Sequence, residues 1–247
     1  MALKTILNYS PNFNSKKRIS KQIKFIIFHY TGMKKESEAI NRLTNIQSEV
    51  SCHYLIKSKG EIVKLVPDLY IAWHAGKSSW KSFKSLNQNS IGIEITNPGH
   101  EFGYKKFSKK QISSLLKLSK FLIKKYKISH KNILGHSDVA SERKKDPGEK
   151  FPWEYLSKNK IGLWHSLKKR ELIKNRKFKV SKIEKEFFFN NLFKIGYSKK
   201  NPENLNKDGY LRGISKAFQR RFRQDLIDGK IDRECLLIST NLLKRYN

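Results

Sequence analysis

The sequence has few cysteines and no long apolar run. Its 247 residues include two cysteines, Cys52 and Cys235, which lie far apart and form no CxxC pair. A disulfide framework is therefore excluded, and cysteine usage does not indicate a compartment. No stretch approaches the roughly 20 apolar residues of a membrane span, so we predict none. The short N-terminal apolar run is broken by Lys4 and does not resemble a secretion signal. We expect a cytoplasmic protein, with the periplasm or cell envelope as the alternative.

Acidic residues are also scarce. Against 53 Lys and Arg there are 21 Asp and Glu, which gives a formal net charge of +32. Such an excess is typical of proteins with a polyanionic neighbour, such as nucleic acid, anionic lipid or an acidic wall polymer. The lysines are scattered from Lys4 to Lys244, however, which favours a compositional bias. No helix-turn-helix, zinc-finger or RNP pattern is present, so we expect no specific nucleic-acid partner.

Apolar residues make up 38% of the chain, which is enough for a core without metal or disulfide support. Short apolar strands are predicted at 24–30 and 89–96, and a hairpin at 52–66. Helices are predicted at 36–44 and from Ser108 to near Lys127. Strands and helices are thus interleaved. This order predicts an α/β fold in which helices flank a mixed central β-sheet.

The composition changes after Trp164. Residues 166–181 are basic and weakly periodic, which is typical of a linker or connecting helix. The rest of the chain favours a small three-helix all-α domain. Its predicted helices are Ile183 to Ile195, Gly213 to Arg223 and Asp232 to Tyr246. We therefore predict a catalytic domain at 1–165, a linker at 166–181 and a helical domain at 182–247.

Several polar residues fall at the ends of predicted buried strands. They are His29, His53, His74, Glu94, His136 and Asp146. A hydrolytic zinc ion keeps three His, Asp or Glu ligands and leaves one position for water. We choose His29, His136 and Asp146, because each follows a strand or a tight turn that can hold it rigid. A single histidine in such a place is more often an ordinary core or surface residue, so the prediction rests on the three together.

Two further residues suit the same chemistry. Glu94, within a predicted strand, is the natural general base that takes a proton from a zinc-activated water. Its alternative role is a salt-bridged strand glutamate. Lys144 precedes Asp146 by two residues and can direct an ammonium at an oxyanion. Its alternative role is a solvated loop lysine.

The order of the sequence motifs carries a family resemblance. The motifs are Ser10 to Asn14, FIIFHYT, SCHYLI, LVPDLYIAWHAGKSSW, NSIGIEITNPG, GHSDVASERKKDPG, FPWEYL and IGLW. They resemble the zinc-dependent N-acetylmuramoyl-L-alanine amidases, whose type-2 fold is shared with T7-like phage lysozymes and peptidoglycan recognition proteins. The resemblance implies cleavage of the amide between N-acetylmuramic acid and L-alanine of the stem peptide in peptidoglycan or muropeptides.

The resemblance also implies residue roles. Zn²⁺ would be bound by His29, His136 and Asp146, with Glu94 as the catalytic acid and base and Lys144 as the second catalytic group. Trp73 and His74 would line the substrate cleft. Lys145, Asp138 and Glu142 are given no role.

Beyond the catalytic motifs, residues 216–223 and 229–232 resemble a C-terminal peptidoglycan-binding domain. The small-residue pattern of that domain is loose at 233–235, which leaves its sugar binding open. A non-catalytic recognition protein is the competing hypothesis. We favour an enzyme, expected to be a monomer, because the ligand set is complete and is accompanied by Glu94 and Lys144.

Overall fold

The computed structural model describes residues 3–199 and 206–246. Its strands are β1 Ile6–Leu7, β2 Phe13–Asn14, β3 Phe25–Tyr30, β4 Tyr54–Ile56, β5 Ile62–Lys64, β6 Ile71–Ala72, β7 Ser79–Trp80, β8 Phe83–Lys84, β9 Ser90–Ile95 and β10 Ile133–Gly135. Its helices are α1 Glu36–Thr44, α2 Lys109–Tyr126, α3 His136–Val139, α4 Trp153–Lys158, α5 Lys169–Arg176, α6 Lys182–Ile195, α7 Lys207–Phe222 and α8 Arg233–Tyr246. No helix within these ranges combines the length and the hydropathy needed to cross a lipid bilayer.

Six strands form the central sheet, in the order β1-β5-β4-β9-β3-β10. Strand β3 is parallel to both β9 and β10, whereas β4 and β5 form an antiparallel hairpin. The predicted mixed sheet is therefore confirmed. The carboxyl ends of parallel strands meet at one edge of a sheet, and sites form there. Here that edge brings together His29 near the end of β3, Glu94 of β9 in register with it, and His136 directly after β10.

Helix α2 covers one face of the sheet. It begins at the predicted capping box, in which the Ser108 hydroxyl accepts the Gln111 N–H at 3.2 Å and the Gln111 side chain accepts the Ser108 N–H at 2.9 Å. Its apolar stripe packs with Ile26 and Phe28 of β3 in one buried cluster. Alternate residues of a strand point to opposite faces. Phe25 and Ile27 therefore face the other side of the sheet.

The C-terminal helices cover that other face. Phe25 and Ile27 belong to one continuous buried cluster with Phe188 of α6, Phe218 of α7 and Ile238 of α8. The α/β fold class with its C-terminal helices is thus confirmed. Segments on both sides of the predicted boundaries contribute to a single core. The boundaries themselves stay a prediction.

The largest departure from the predicted helix limits, among the described residues, concerns the start of α7. Helix α7 starts at Lys207, six residues before the predicted Gly213. Gly209 and Gly213 lower the helix propensity of the first turns of α7, so the sequence does not predict these turns as helical. The Asn206 side chain compensates as the N-cap by accepting the Gly209 N–H at 2.6 Å. The predicted linker also contains the short helix α5, whose Leu172 joins the shared cluster.

Candidate metal centre

Three side chains from separate segments converge at the carboxyl edge of the sheet. His29 Nδ1, His136 Nδ1 and Asp146 Oδ2 are 3.0 Å from one another, and all three residues are buried. Ligand atoms around a tetrahedral metal with bonds of about 2.0 Å lie about 3.3 Å apart. Two imidazoles and a carboxylate at this spacing therefore fit a single divalent cation. The structure brings together the three residues predicted as ligands.

The His136 ring is held with its Nδ1 lone pair towards the other two ligand atoms. Its Nε2–H donates to the carbonyl of Ala75 at 3.1 Å, which leaves Nδ1 without a proton. A hydrogen bond of this kind on the far nitrogen fixes the tautomer of a metal-binding histidine. Arg143 donates to the same Ala75 carbonyl at 2.6 Å and to the Lys77 carbonyl at 2.5 Å. This arginine therefore holds the loop that orients His136.

A longer chain of hydrogen bonds orients His29. The Ser90 hydroxyl donates to the Leu86 carbonyl at 2.6 Å, so Ser90 Oγ accepts from His74 Nε2–H at 3.1 Å. His74 Nδ1 is then an acceptor and receives the His29 Nε2–H at 3.0 Å. Burial lowers the pKa of His29 to about 4. Neutral His29 thus presents the Nδ1 lone pair that a metal ligand requires.

The two predicted cleft residues lie in different surroundings. His74 reaches the floor of the cavity beside the ligands, but it is 6% exposed and its ring nitrogens are used in supporting His29. Trp73 does not line that cavity, and its indole N–H donates to Asn14 Oδ1 at 2.6 Å. The substrate contacts expected of these two residues stay a prediction.

Glu94 lies beside the three predicted ligands, and no salt bridge engages it within the described residues. Its Oε2 is buried and has no hydrogen-bond partner in the described part of the chain. Burial, then the charge of Asp146, raises the pKa of Glu94 to about 8, while Lys144 and Arg42 act in the opposite direction. A salt-bridged strand glutamate would have a paired carboxylate. The structure instead leaves this oxygen available to a bound water or substrate.

Lys144 lies in the turn between α3 and Asp146. Its N–H donates to the Ala140 carbonyl at 3.0 Å, and its side chain lines the cavity together with Glu94. Its positive charge acts to lower the pKa of His29, and it partly offsets the rise in the pKa of Glu94. The turn continues to Gly148, where a positive φ of 85° and the adjacent Tyr104 hydroxyl leave no room for a Cβ.

The cavity at the three predicted ligands has a volume of about 430 Å³, and four of the side chains that line it are cationic. Arg42, Arg143, Lys144 and Lys145 all line it. Sequence reasoning missed Arg42, because one basic residue on a lysine-rich surface gives no signal. It also missed two further residues that line this cavity, Tyr30 and His100, of which the Tyr30 hydroxyl donates to His100 Nδ1 at 2.8 Å. The four cationic side chains suit a substrate that carries carboxylates.

Comparison with known proteins agrees with this geometry. A family model described as N-acetylmuramoyl-L-alanine amidase matches residues 19–149, a span that contains His29, Glu94 and the whole turn from His136 to Asp146. This chain belongs to the N-acetylmuramoyl-L-alanine amidase family. The family and the enzyme class predicted from the sequence are therefore confirmed.

The amidase is similar to proteins of known structure along most of its length. It is 33% identical over 237 residues to the N-acetylmuramoyl-L-alanine amidase AmiD of Escherichia coli (strain K12), covering 91% of this chain and 84% of the relative. A solved complex of E. coli AmiD with anhydro-N-acetylmuramic acid-L-Ala-D-gamma-Glu-L-Lys matches at a TM-score of 0.79 and 32% identity, over 91% of this chain and 90% of that one.

Two further relatives resemble the amidase. The structure of AmpDh3 from Pseudomonas aeruginosa in complex with anhydromuramic pentapeptide matches at a TM-score of 0.78 and 29% identity, over 96% of this chain and 97% of that one. The 1,6-anhydro-N-acetylmuramyl-L-alanine amidase AmpD of Haemophilus influenzae is 39% identical over 113 residues, which cover 45% of this chain and 59% of the relative. The similarity to AmpDh3 includes the C-terminal helices, because it extends over nearly the whole chain.

Proposed function

We propose that this amidase hydrolyses the bond between N-acetylmuramic acid and L-alanine in muropeptides at a Zn²⁺ site formed by His29, His136 and Asp146. The convergence of three buried donor atoms at mutual distances of 3.0 Å carries this proposal. Two imidazoles and one carboxylate make a donor set that is typical of hydrolytic zinc. When bound, zinc lowers the pKa of a coordinated water and polarises the scissile carbonyl.

Glu94 would act as the general base and then as the general acid. It takes a proton from the attacking water and returns it to the leaving nitrogen of L-alanine. Its position supports this role, because Glu94 is in strand register with His29. Its buried Oε2 is also free of any hydrogen bond within the described residues.

Lys144 would stabilise the oxyanion of the tetrahedral intermediate. A fixed positive charge is most effective where negative charge develops during the reaction. Lys144 lines the same cavity as Glu94, and no ion pair engages its ammonium within residues 3–199 and 206–246. Neighbouring Arg143 is engaged with two backbone carbonyls and is less suited to the task.

The substrates of the relatives suggest which muropeptide to test first. AmiD and AmpDh3 have been crystallised with anhydromuramyl peptides, and AmpD is described as a 1,6-anhydro-N-acetylmuramyl-L-alanine amidase. We therefore propose a soluble anhydromuramyl peptide as the substrate. A monomeric state and a cytoplasmic location, as opposed to the periplasm or envelope, remain part of the proposal. Gel filtration and cell fractionation would test them.

The decisive assay follows release of the stem peptide from a purified anhydromuramyl tetrapeptide by chromatography and mass spectrometry. We expect turnover that a chelator abolishes and added Zn²⁺ restores. Glu94→Gln should bind zinc and substrate but release no peptide. Turnover that is indifferent to chelation would contradict the zinc site. Binding without turnover by the zinc-loaded wild type would favour the recognition protein instead.

A further inference from the structure

The C-terminal end of α7 places a buried arginine beneath the metal-binding loop. Arg221 Nη1 donates to Asp138 Oδ2 at 2.5 Å, and the two side chains are 3% and 1% exposed. Arg221 Nη2 donates to the Ile133 carbonyl at 3.1 Å. The guanidinium carbon lies 4.1 Å from the centroid of the Trp153 ring. The planar, forked guanidinium therefore has a single well-defined position.

Asp138 connects Arg221 to the backbone beside His136, a proposed ligand. Its Oδ2 accepts the Gly135 N–H at 2.8 Å, and its Oδ1 accepts the Tyr197 hydroxyl at 3.0 Å. Gly135 directly precedes His136. Arg221 thus holds the carbonyl at the start of β10 and, through Asp138, the N–H at the end of that strand.

The backbone that follows β10 is also bonded to Asp146, the third proposed ligand. The Ser137 N–H donates to the Asp146 carbonyl at 2.8 Å, so the backbone around His136 and the backbone of Asp146 are joined. A displacement of Gly135 would therefore move two ligands relative to His29 on β3. Supporting contacts of this kind determine how well a metal site is preorganised.

We propose that Arg221 is a positioning residue of the metal centre, which acts through Asp138 on the backbone that presents His136. The inference rests on the proposed ligand set. It gives residues 182–247 a role in the site that is separate from any binding of wall polymer. A helical module that only bound the wall would leave zinc affinity and the cleavage of small soluble substrates unchanged.

Arg223 supplies a matched control. It lies two residues further along the chain, is 2% exposed and pairs with Asp228 at 2.9 Å, with Asp232 and with Glu234 at 3.8 Å. All three partners belong to the helical region, and none is near the metal-binding loop in sequence. Arg223→Met therefore removes an equally buried charge from the same region without touching Asp138. It separates general destabilisation from a specific effect on the site.

The experiment measures the zinc dissociation constant of the full chain by competition with a chromophoric chelator, beside the thermal midpoint of the zinc-free protein. We expect Arg221→Met and Asp138→Asn each to raise the dissociation constant about tenfold or more, within the 10–100-fold range of outer-shell partners. The double variant should show no further loss, because the two residues act as a unit. Arg223→Met should lower the midpoint but keep the dissociation constant within about twofold.

Arg221→Lys keeps the positive charge but loses the forked geometry, so it remains informative if Arg221→Met does not fold. We expect an intermediate increase in its dissociation constant. Folded Arg221 variants with wild-type zinc affinity would overturn the inference, as would an equal loss in Arg223→Met. Failure of the proposed function looks different. In that case the wild type binds no zinc, or His136→Ala binds it as well as the wild type does.

Discussion

Gly92 offers a sharp test of the hydrogen-bond chain that orients His29. A Cβ at this position would lie 2.3 Å from Cγ of the His74 ring, whereas ordinary contacts of a Cβ are 3.4–4 Å. In Gly92→Ala the ring must therefore move by at least about 1 Å. The hydrogen bond between His74 Nδ1 and His29 Nε2 measures 3.0 Å, and a displacement of this size breaks it.

Two separate losses follow from that displacement. Overpacking a buried site costs about 1–3 kcal/mol of the free energy of unfolding. Loss of the partner that fixes the His29 tautomer should weaken zinc binding roughly 10–100-fold, as outer-shell changes do. That corresponds to about 1.4–2.8 kcal/mol of binding free energy. Ser90→Ala removes the hydrogen bond between Ser90 and His74 without overpacking the site. It should therefore weaken zinc binding less than Gly92→Ala does.

The assay is chelator competition for zinc together with denaturant unfolding of the zinc-free protein. Ile93→Val is the control, because Ile93 is fully buried on the same strand and packs towards the α2 side of the sheet. It should cost about 0.5–1.5 kcal/mol of stability and leave zinc affinity unchanged. A folded Gly92→Ala protein with wild-type affinity would refute the role given to His74.

Three further predictions concern the catalytic groups, the cationic side chains of the cavity and a buried carboxylate far from the site. Lys144→Ala should keep zinc and lose about 10²–10³-fold in kcat, whereas His136→Ala should lose both; a parallel loss of metal and rate in Lys144→Ala would contradict the oxyanion role. Arg42→Gln should raise KM for a muropeptide and leave kcat nearly unchanged, since Arg42 lines the cavity without joining the ligands; a fall in kcat alone would assign Arg42 to the chemistry. Burial alone would raise the pKa of Asp68, but hydrogen bonds from Tyr126, Tyr54 and Lys125 outweigh it and hold the pKa well below its usual range. The stability from Asp68 is therefore present above its unfolded pKa and is lost as the pH falls through the folded pKa, so Asp68→Asn should destabilise the protein more at pH 7 than near pH 3. Equal destabilisation at both pH values in urea unfolding would show that its charge is not involved.

Local patterns predicted those parts of the fold that contiguous residues determine. The β-branched run before His29 became β3, and the serine and glutamine of the capping box begin α2 as expected. The convergence of His29, Glu94 and His136 could also be predicted, because parallel strands carry their carboxyl ends to one edge whatever lies between them. Strand-end histidines are therefore a usable signal when several occur together.

Hydrogen bonds between segments that are distant in the sequence could not be predicted from local patterns. The role of His74 depends on Ser90 and on the close approach of Gly92, and neither is visible as a motif. Asp138 was given no role, because its partner Arg221 is 83 residues away and the pairing has no signal in the sequence. Secondary-structure periodicity constrains which face a residue occupies, but it does not determine which partner it meets across the core.

The shared core gives the predicted domain boundary a direct test. A chain ending at residue 165 would expose the side chains on the helical side of the sheet, among them Phe25, Ile27 and Leu134. Full exposure of each such side chain costs about 1.5–3 kcal/mol, so these three alone reach on the order of 5–9 kcal/mol. That is comparable with the whole stability of a typical domain, about 5–15 kcal/mol. Truncation would also leave buried Asp138 without Arg221, which is strongly destabilising for a paired charge. We therefore expect the truncated chain to lack a cooperative unfolding transition in circular dichroism and to bind zinc weakly. A cooperative transition with wild-type zinc affinity would instead establish residues 1–165 as an autonomous domain.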